Sequence, residues 1–148
     1  MKKDYELLLD AMYPGFFERE NIKNLPEEWI CDEMILPLEE FKSSTYDRKL
    51  DENISFGYYD GDLNELWEAV GKVVPDWIKS YNGKHRAYCG FVNGTIASFC
   101  LIENKGIHIL NGQQYKIGGP GCVGTLSEFR HKGIGLTMVK NVTEILKD

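Results

Sequence analysis

The sequence has few residues of the kinds that bind metal ions or form disulfide frameworks. Its four cysteines, Cys31, Cys89, Cys100 and Cys122, include no Cys-x-x-Cys pair, and its three histidines have no ligand spacing to them. Cys89 and Cys100 lie in strand-like runs, where a buried thiol packs as a small apolar side chain. We therefore predict unpaired thiols in a reducing compartment, and no metal site.

Long hydrophobic runs are also absent. No stretch approaches the roughly 20 apolar residues that a membrane-spanning helix requires. The N-terminus begins with two lysines, but Asp4, Glu6 and Asp10 interrupt the apolar segment that a signal peptide needs. The sequence therefore predicts a cytoplasmic protein with no membrane partner.

The chain is short of positive charge. It has 17 Lys and Arg residues against 23 Asp and Glu residues, which gives a formal net charge of −6. Nucleic-acid binding depends on basic side chains that meet phosphates, so a nucleic-acid partner is not predicted. An acidic balance is compatible with a cationic or amine substrate. With 148 residues and 43% hydrophobic content, the chain can bury one good core.

Residues 1–53 are predicted to form a mostly helical N-terminal extension. Apolar residues at Leu7, Leu8 and Met12 give a short helical stripe that ends at Pro14. A second helix is expected after Pro26. The stretch 42–53 is polar and is interpreted as a connector.

A clearer pattern begins at Ile54. Residues 54–59 read as a strand, and 60–62 as a turn that carries a helix N-cap. A helix follows and should end before Pro75, and a second short helix is predicted over 76–81. The helix before Pro75 is indicated by apolar residues at helical spacing, which are Leu63, Leu66, Trp67, Val70 and Val74.

The remaining pattern is mainly strands. Runs over 86–92 and 95–102 flank Asn93-Gly94, and a second small hairpin around Asn111-Gly112 is predicted between Ile107 and Ile117. After the glycine-rich 118–121 come a short strand over 122–126 and a helix over 133–147. The order predicts an α/β fold with a mixed, mostly antiparallel sheet flanked by helices.

The stretch from Arg130 to Gly135 is the most informative part of the sequence. It joins a strand to a helix and reads Arg-x-x-Gly-x-Gly. The first turn of a helix presents unpaired amides, and the helix dipole adds partial positive charge, so an anion can bind there. Glycine at 133 and 135 allows close approach to the main chain, and Arg130 and Lys132 add positive charge.

Two other nucleotide-binding motifs are excluded. Gly119-x-Gly121-x-x-Gly124 matches the dinucleotide fingerprint, but that fingerprint must open a helix at its third glycine. Here such a helix would have to run through Gly133 and Gly135. The phosphate loop of nucleotide triphosphatases requires Gly-Lys followed by Ser or Thr, which the chain lacks.

With Phe129 before the Arg and an apolar helix from Leu136 onward, this stretch resembles motif A of the GNAT N-acetyltransferase superfamily. The resemblance covers 54–148, interpreted as a partial GNAT domain with strands one to four and helices one to three. Ser127 departs from the pattern, because the family often has proline there.

The resemblance implies an N-acetyltransferase that binds acetyl-CoA as cosubstrate and acetylates a primary amine of a small molecule or peptide. The loop would wrap the pyrophosphate, mainly through backbone amides, and the preceding strand would contact the pantetheine and acetyl groups. His131 is assigned no chemistry beyond lining the loop. The implied cofactor-binding residues are Val123, Gly124, Thr125, Arg130, His131, Lys132, Gly133, Ile134, Gly135 and Leu136.

No catalytic residue is predicted from the sequence. Glu103 and Glu128 are the nearest carboxylates, and Glu103 is more simply interpreted as a solvated strand end. The family continues with a fifth strand, a fourth helix and often a tyrosine acid, whereas this sequence stops at Asp148. We therefore expect self-association or a completing C-terminal segment, because the fourth strand would otherwise expose its edge. The alternative is a non-catalytic acyl-CoA-binding or assembly module.

Overall fold

The computed structural model describes residues 36–75 and 86–147. The chain divides into two compact units. One contains Met1–Phe41 and Gly106–Ile117, and the other contains Lys42–Lys105 and Gly118–Asp148. The sequence prediction places a boundary at 53/54, and the second compact unit begins at Lys42.

Four strands form one sheet in the order β1-β2-β3-β4. Their bounds are Ile54–Tyr58 for β1, Arg86–Val92 for β2, Thr95–Leu110 for β3 and Gln113–Thr125 for β4. The described residues also hold two α-helices, α1 over Leu63–Val73 and α2 over Ile134–Lys147. The α/β class and the antiparallel sheet are thereby confirmed.

The first hairpin forms as the sequence predicts. β1 pairs antiparallel with β2, and β2 pairs antiparallel with β3. The turn between β2 and β3 is Asn93-Gly94, with φ angles of 50° and 80°. Both residue types tolerate positive φ at low cost, and this favours a tight turn between twisted strands. The register shifts once, between Gly90 and Phe91.

The second hairpin is longer than predicted. We expected a strand ending at Ile102, a separate small hairpin and a short strand over 122–126, but β3 and β4 are each continuous. The turn at Asn111-Gly112 is confirmed, with φ angles of 51° and 79°. The glycine-rich stretch 118–121 stays extended within β4. Pro120 is tolerated in this stretch because β4 lies at an edge of the described sheet.

Helix α1 begins and ends where the sequence predicts. The Asp62 side chain caps its N-terminus by accepting a hydrogen bond from the Asn64 amide at 2.8 Å. Leu66 and Val70 are buried. The helical spacing predicts Leu63 on the same buried face, but this first residue of the helix is 56% exposed.

Helix α2 covers the sheet through one apolar face. Ile134, Met138 and Val142 recur at helical spacing, and all three are fully buried. Met138 and Val142 cluster with Tyr88 of β2 and Cys100 of β3. This contact fixes the helix, and with it the loop before the helix, against the sheet.

The connector before β1 has little regular structure. The described residues before β1, 36–53, contain two short 3-10 helices, Leu38–Glu40 and Ser43–Tyr46. The predicted helices of residues 1–35 and the predicted helix over 76–81 lie outside the described residues. Neither described α-helix is long and apolar enough to cross a membrane.

Candidate functional site

The candidate site is the turn between β4 and α2. β4 ends at Thr125, and a short 3-10 helix, Ser127–Phe129, follows. His131 and Gly133 then adopt positive φ angles of 63° and 77°. These left-handed residues turn the chain sharply, so that α2 can begin at once. Glycine at 133 avoids the strain that a side chain would bring at this angle.

The start of α2 presents amide groups with no partner inside the helix. Its first hydrogen bond recorded to a preceding loop residue runs from Thr137 N to Gly133 O at 3.1 Å. The amides of Ile134, Gly135 and Leu136 come before that bond. Together with the positive end of the helix dipole, they form a local environment that favours an anion.

A cavity of about 520 Å³ opens beside this loop. It brings together residues of the β4 end, the loop and the first turn of α2. All predicted cofactor-binding residues except Lys132 line it. The full lining is Val73, Val123, Gly124, Thr125, Phe129, Arg130, His131, Gly133, Ile134, Gly135 and Leu136.

Lys132 lies next to the cavity without lining it. Its Nζ is 5.9 Å from the centre of the Phe129 ring, close enough for a cation–π attraction. The ammonium therefore adds positive charge beside Phe129, which lines the cavity.

Two lining residues were missing from the predicted set. Phe129 enters the sequence prediction only as an aromatic residue before the Arg, and Val73 comes from the last turn of α1, far away in sequence. Local motif spacing indicates Phe129 but carries no signal for Val73. Both residues are apolar. They give the cavity a hydrophobic wall in addition to the polar backbone amides of residues 134–136.

Gly124 is required by the packing of the cavity wall. A Cβ atom at this position would lie 2.4 Å from Phe99 Cζ and 2.9 Å from Val73 Cγ1. Both distances are shorter than van der Waals contact. The glycine therefore allows Phe99 and α1 to pack directly against the main chain of β4.

A buried hydrogen-bond network fixes the end of β4. The Ser98 hydroxyl is fully buried and lies 2.7 Å from the Gly124 carbonyl oxygen, to which it donates. It also lies 3.0 Å from Thr125 Oγ1. A Cβ atom at Gly135 would stand 2.7 Å from that same threonine oxygen. Ser98 of β3 thus holds the strand on which the start of α2 rests.

Gly90 allows the start of α2 to approach β2. A Cβ atom there would lie 2.6 Å from Ile134 Cγ2 and 3.0 Å from Phe56 Cε1. Ile134 is the first residue of α2 and also lines the cavity. The position of the helix start is therefore set by contact with the middle of the sheet.

The loop is more positive than the chain as a whole. Arg130, His131 and Lys132 are consecutive and exposed. Arg130 Nε donates to the Thr125 carbonyl at 3.2 Å, which folds the side chain back toward the strand end. Basic side chains beside open amides favour a ligand with negative charge, such as a phosphate.

The carboxylates considered for proton transfer are placed elsewhere. Glu103 is paired with Lys105 at 3.3 Å and packs against Gly121. In Glu128, a hydrogen bond from its own backbone amide, with help from Ser127, lowers the pKa of the carboxyl. Neither glutamate lines the cavity. A carboxylate of lowered pKa is also a weaker base.

The cysteines are placed as the sequence predicts, in the described part of the chain. Cys89, Cys100 and Cys122 are buried and unpaired. Burial raises the pKa of the Cys89 and Cys100 thiols to about 12 and also raises the pKa of Cys122. They are poor nucleophiles at neutral pH. Within 36–75 and 86–147, no cluster of three or more His, Cys, Asp or Glu could hold a metal ion.

Comparisons of the chain with protein-family models, with curated proteins and with solved structures give no match.

Proposed function

We propose that this cavity binds acetyl-CoA and that the chain carries the cofactor-binding part of a GNAT-type N-acetyltransferase. The observation that carries the proposal is the cavity itself. It is lined both by the loop from Arg130 to Gly135, here called the glycine loop, and by the end of β4. A loop with unpaired amides that directly follows an edge strand suits a ligand with a charged head and a long amide-containing arm.

The charged head would bind at the loop. The amides of residues 134–136 would donate to the pyrophosphate oxygens, and Arg130 would add a cation. Gly133 carries no side chain at this turn, so a phosphate oxygen could approach its main chain closely. A volume of about 520 Å³ is in the usual range for a small-molecule site.

The pantetheine arm would lie along Val123–Thr125. Among the described strands, β4 pairs with β3 alone, so its other edge offers main-chain donors and acceptors to a ligand. An extended arm with amide groups can pair with such an edge like an added strand. Val73, Val123 and Leu136 would supply apolar contacts beside it.

The reaction would be direct transfer of the acetyl group. The neutral amine would attack the thioester carbonyl, a new C–N bond would form, and the C–S bond would break to release the thiolate. A base would take the amine proton, and the thiolate would gain a proton from an acid or from water. A backbone amide of β4 would stabilise the oxyanion.

A non-catalytic acyl-CoA-binding module is the second candidate. One specific observation favours it: among the described residues that line the cavity there is no carboxylate and no tyrosine. Binding without transfer requires only the amides, the cations and the apolar wall. The two candidates share the ligand and differ in turnover.

The test is calorimetric titration with acetyl-CoA of the parent chain and of two matched variants. Leu136→Glu places a negative charge at the cavity, and Leu63→Glu makes the same change at the first turn of α1. Both leucines are exposed, at 41% and 56%, and glutamate is favourable in the first turn of a helix, so both variants should fold.

We expect the parent and Leu63→Glu to bind with the same affinity, and Leu136→Glu to lose at least about tenfold, because a glutamate repels the phosphates. Equal binding by all three proteins, or no binding by a folded parent, would contradict the proposal. Thiol release with a panel of primary amines then separates the two candidates. Release above the no-amine blank indicates transferase activity, and binding without release indicates a binding module.

A further inference from the structure

The connector before β1 approaches the glycine loop from a remote part of the sequence. A Cβ atom at Gly133 would lie 3.3 Å from Leu50 Cδ2 and 3.9 Å from Arg48 Cβ. Gly133 lines the cavity. Arg48 and Leu50 therefore border the loop at the point where the proposed function places phosphate groups.

An ion pair holds this part of the connector on α2. Asp47 Oδ1 lies 2.8 Å from Lys140 Nζ, and the lysine side chain is only 16% exposed. The hydrogen bond to Asp47 raises the pKa of Lys140, which keeps the ammonium charged. Because Asp47 directly precedes Arg48, the pair anchors the main chain beside the arginine.

The Arg48 side chain is available for a stronger partner. It is exposed, and its Nη1 donates to the carbonyl of the preceding residue, Asp47, at 2.9 Å. That acceptor is neutral and lies at the surface, so the bond contributes little. A guanidinium binds phosphate oxygens through paired, charge-assisted hydrogen bonds, which are stronger than a bond to a carbonyl.

We propose that Arg48 is a phosphate-binding residue of the site, supplied by the connector rather than by the loop. This inference rests on the proposed function above. Coenzyme A offers two kinds of phosphate to such a residue, the pyrophosphate and the 3′-phosphate of the ribose. A cation from a second segment would close the phosphate site on a side that the loop residues do not cover.

The test compares Arg48→Ala with Lys49→Ala in titrations with coenzyme A and with 3′-dephospho-coenzyme A. Lys49 is the matched control, because it is adjacent, exposed and of the same charge, while the nearest neighbours of Gly133 come from residues 48 and 50. We expect Arg48→Ala to raise the Kd of coenzyme A about tenfold. Lys49→Ala should change it less than about twofold.

The second ligand identifies the phosphate. If Arg48→Ala weakens both ligands equally, the residue contacts the pyrophosphate, and if it weakens coenzyme A alone, the residue contacts the 3′-phosphate. Arg48→Lys should recover part of the affinity, because it keeps the charge but loses the paired geometry. An Arg48→Ala variant that binds both ligands as Lys49→Ala does would overturn the inference.

Failure of the proposed function would be seen separately. In that case the folded parent binds neither coenzyme, and the same variants are titrated with adenosine 3′,5′-bisphosphate and with inorganic pyrophosphate. A loss of binding specific to Arg48→Ala would support the phosphate role without coenzyme A. No binding of these probes by the parent, or equal binding by both variants, would overturn the inference as well.

Discussion

The buried hydroxyl of Ser98 donates a hydrogen bond of 2.7 Å to the carbonyl oxygen of Gly124, 26 residues further along the chain. Ser98 belongs to β3, and Gly124 forms part of the cavity wall. The bond is inaccessible to water, so nothing replaces it when the donor is removed. The geometry of the cavity wall therefore depends on a residue outside the wall.

Removal of this hydroxyl should destabilise the protein. Ser98→Ala leaves the Gly124 carbonyl without that donor and removes a partner of Thr125 Oγ1, so we expect a loss of about 1–3 kcal/mol in the free energy of unfolding. Urea denaturation measures the loss. Ser55→Ala, an exposed strand serine in β1, is the control and should stay within about 0.5 kcal/mol of the parent. Equal stability of the two variants would show that the buried bond contributes nothing.

A methyl group at Gly124 should also be costly. Because Phe99 Cζ and Val73 Cγ1 stand 2.4 and 2.9 Å from its Cβ position, Gly124→Ala should lower the free energy of unfolding by about 1–3 kcal/mol. Gly57→Ala in β1 is the matched control, since nothing lies within 4 Å of its Cβ position. We expect that control to be neutral or slightly stabilising. Thermal unfolding of both variants tests the contrast, which is absent if the wall can shift without cost.

The cap of α1 gives a third prediction. Asp62→Ala removes the acceptor for the Asn64 amide and should cost about 1 kcal/mol. Asp60→Ala changes the net charge equally on a neighbouring exposed residue and is expected to cost almost nothing. Chemical denaturation of the two variants measures the difference. A similar loss in both would assign the effect to charge rather than to capping.

The buried thiols predict a loss of stability in alkali. Burial raises the pKa of Cys89 and Cys100 from 9.0 to about 12, so the folded protein holds these protons more tightly than the unfolded chain does. Their contribution is complete below pH 9 and is lost as the pH rises toward 12. Each thiol lowers the free energy of unfolding by up to about 1.4 kcal/mol per pH unit in that range.

The measurement is urea denaturation between pH 8 and pH 11, a range chosen around the shift from 9.0 toward 12. A Cys89→Ala, Cys100→Ala double variant is the reference and should show a shallower decline. In a Cys31→Ser background, an aromatic disulfide reagent should label the native protein slowly and the unfolded protein at once. Rapid labelling of the folded protein at pH 8 would contradict the burial of the three remaining thiols.

Local patterns in the sequence predicted the elements that depend on neighbouring residues. The Asn-Gly turns, the Asp62 cap and the apolar face of α2 each reflect interactions within a few positions. The lengths of β3 and β4 were not predicted. The two strands pair on both sides of Asn111-Gly112, and this pairing keeps residues extended that by themselves favour turns.

The same distinction holds for the site. The loop from Arg130 to Gly135 could be recognised, because the amides that form it are consecutive. Val73 could not, since it reaches the cavity through the packing of α1. The approach of Arg48 to Gly133 could not be recognised either, because it depends on the course of the connector. Such contacts depend on tertiary distances, which a pattern along one chain does not encode.

The close contact between Gly90 and Ile134 has a consequence for how the site could be tuned. A Cβ atom at position 90 would lie 2.6 Å from Ile134 Cγ2, so any side chain there must displace the residue that starts α2. Such a residue in the centre of the sheet would shift the first amides of α2 although it does not line the cavity. A single methyl group at Gly90 would thus change the shape of the cavity from a position outside its lining.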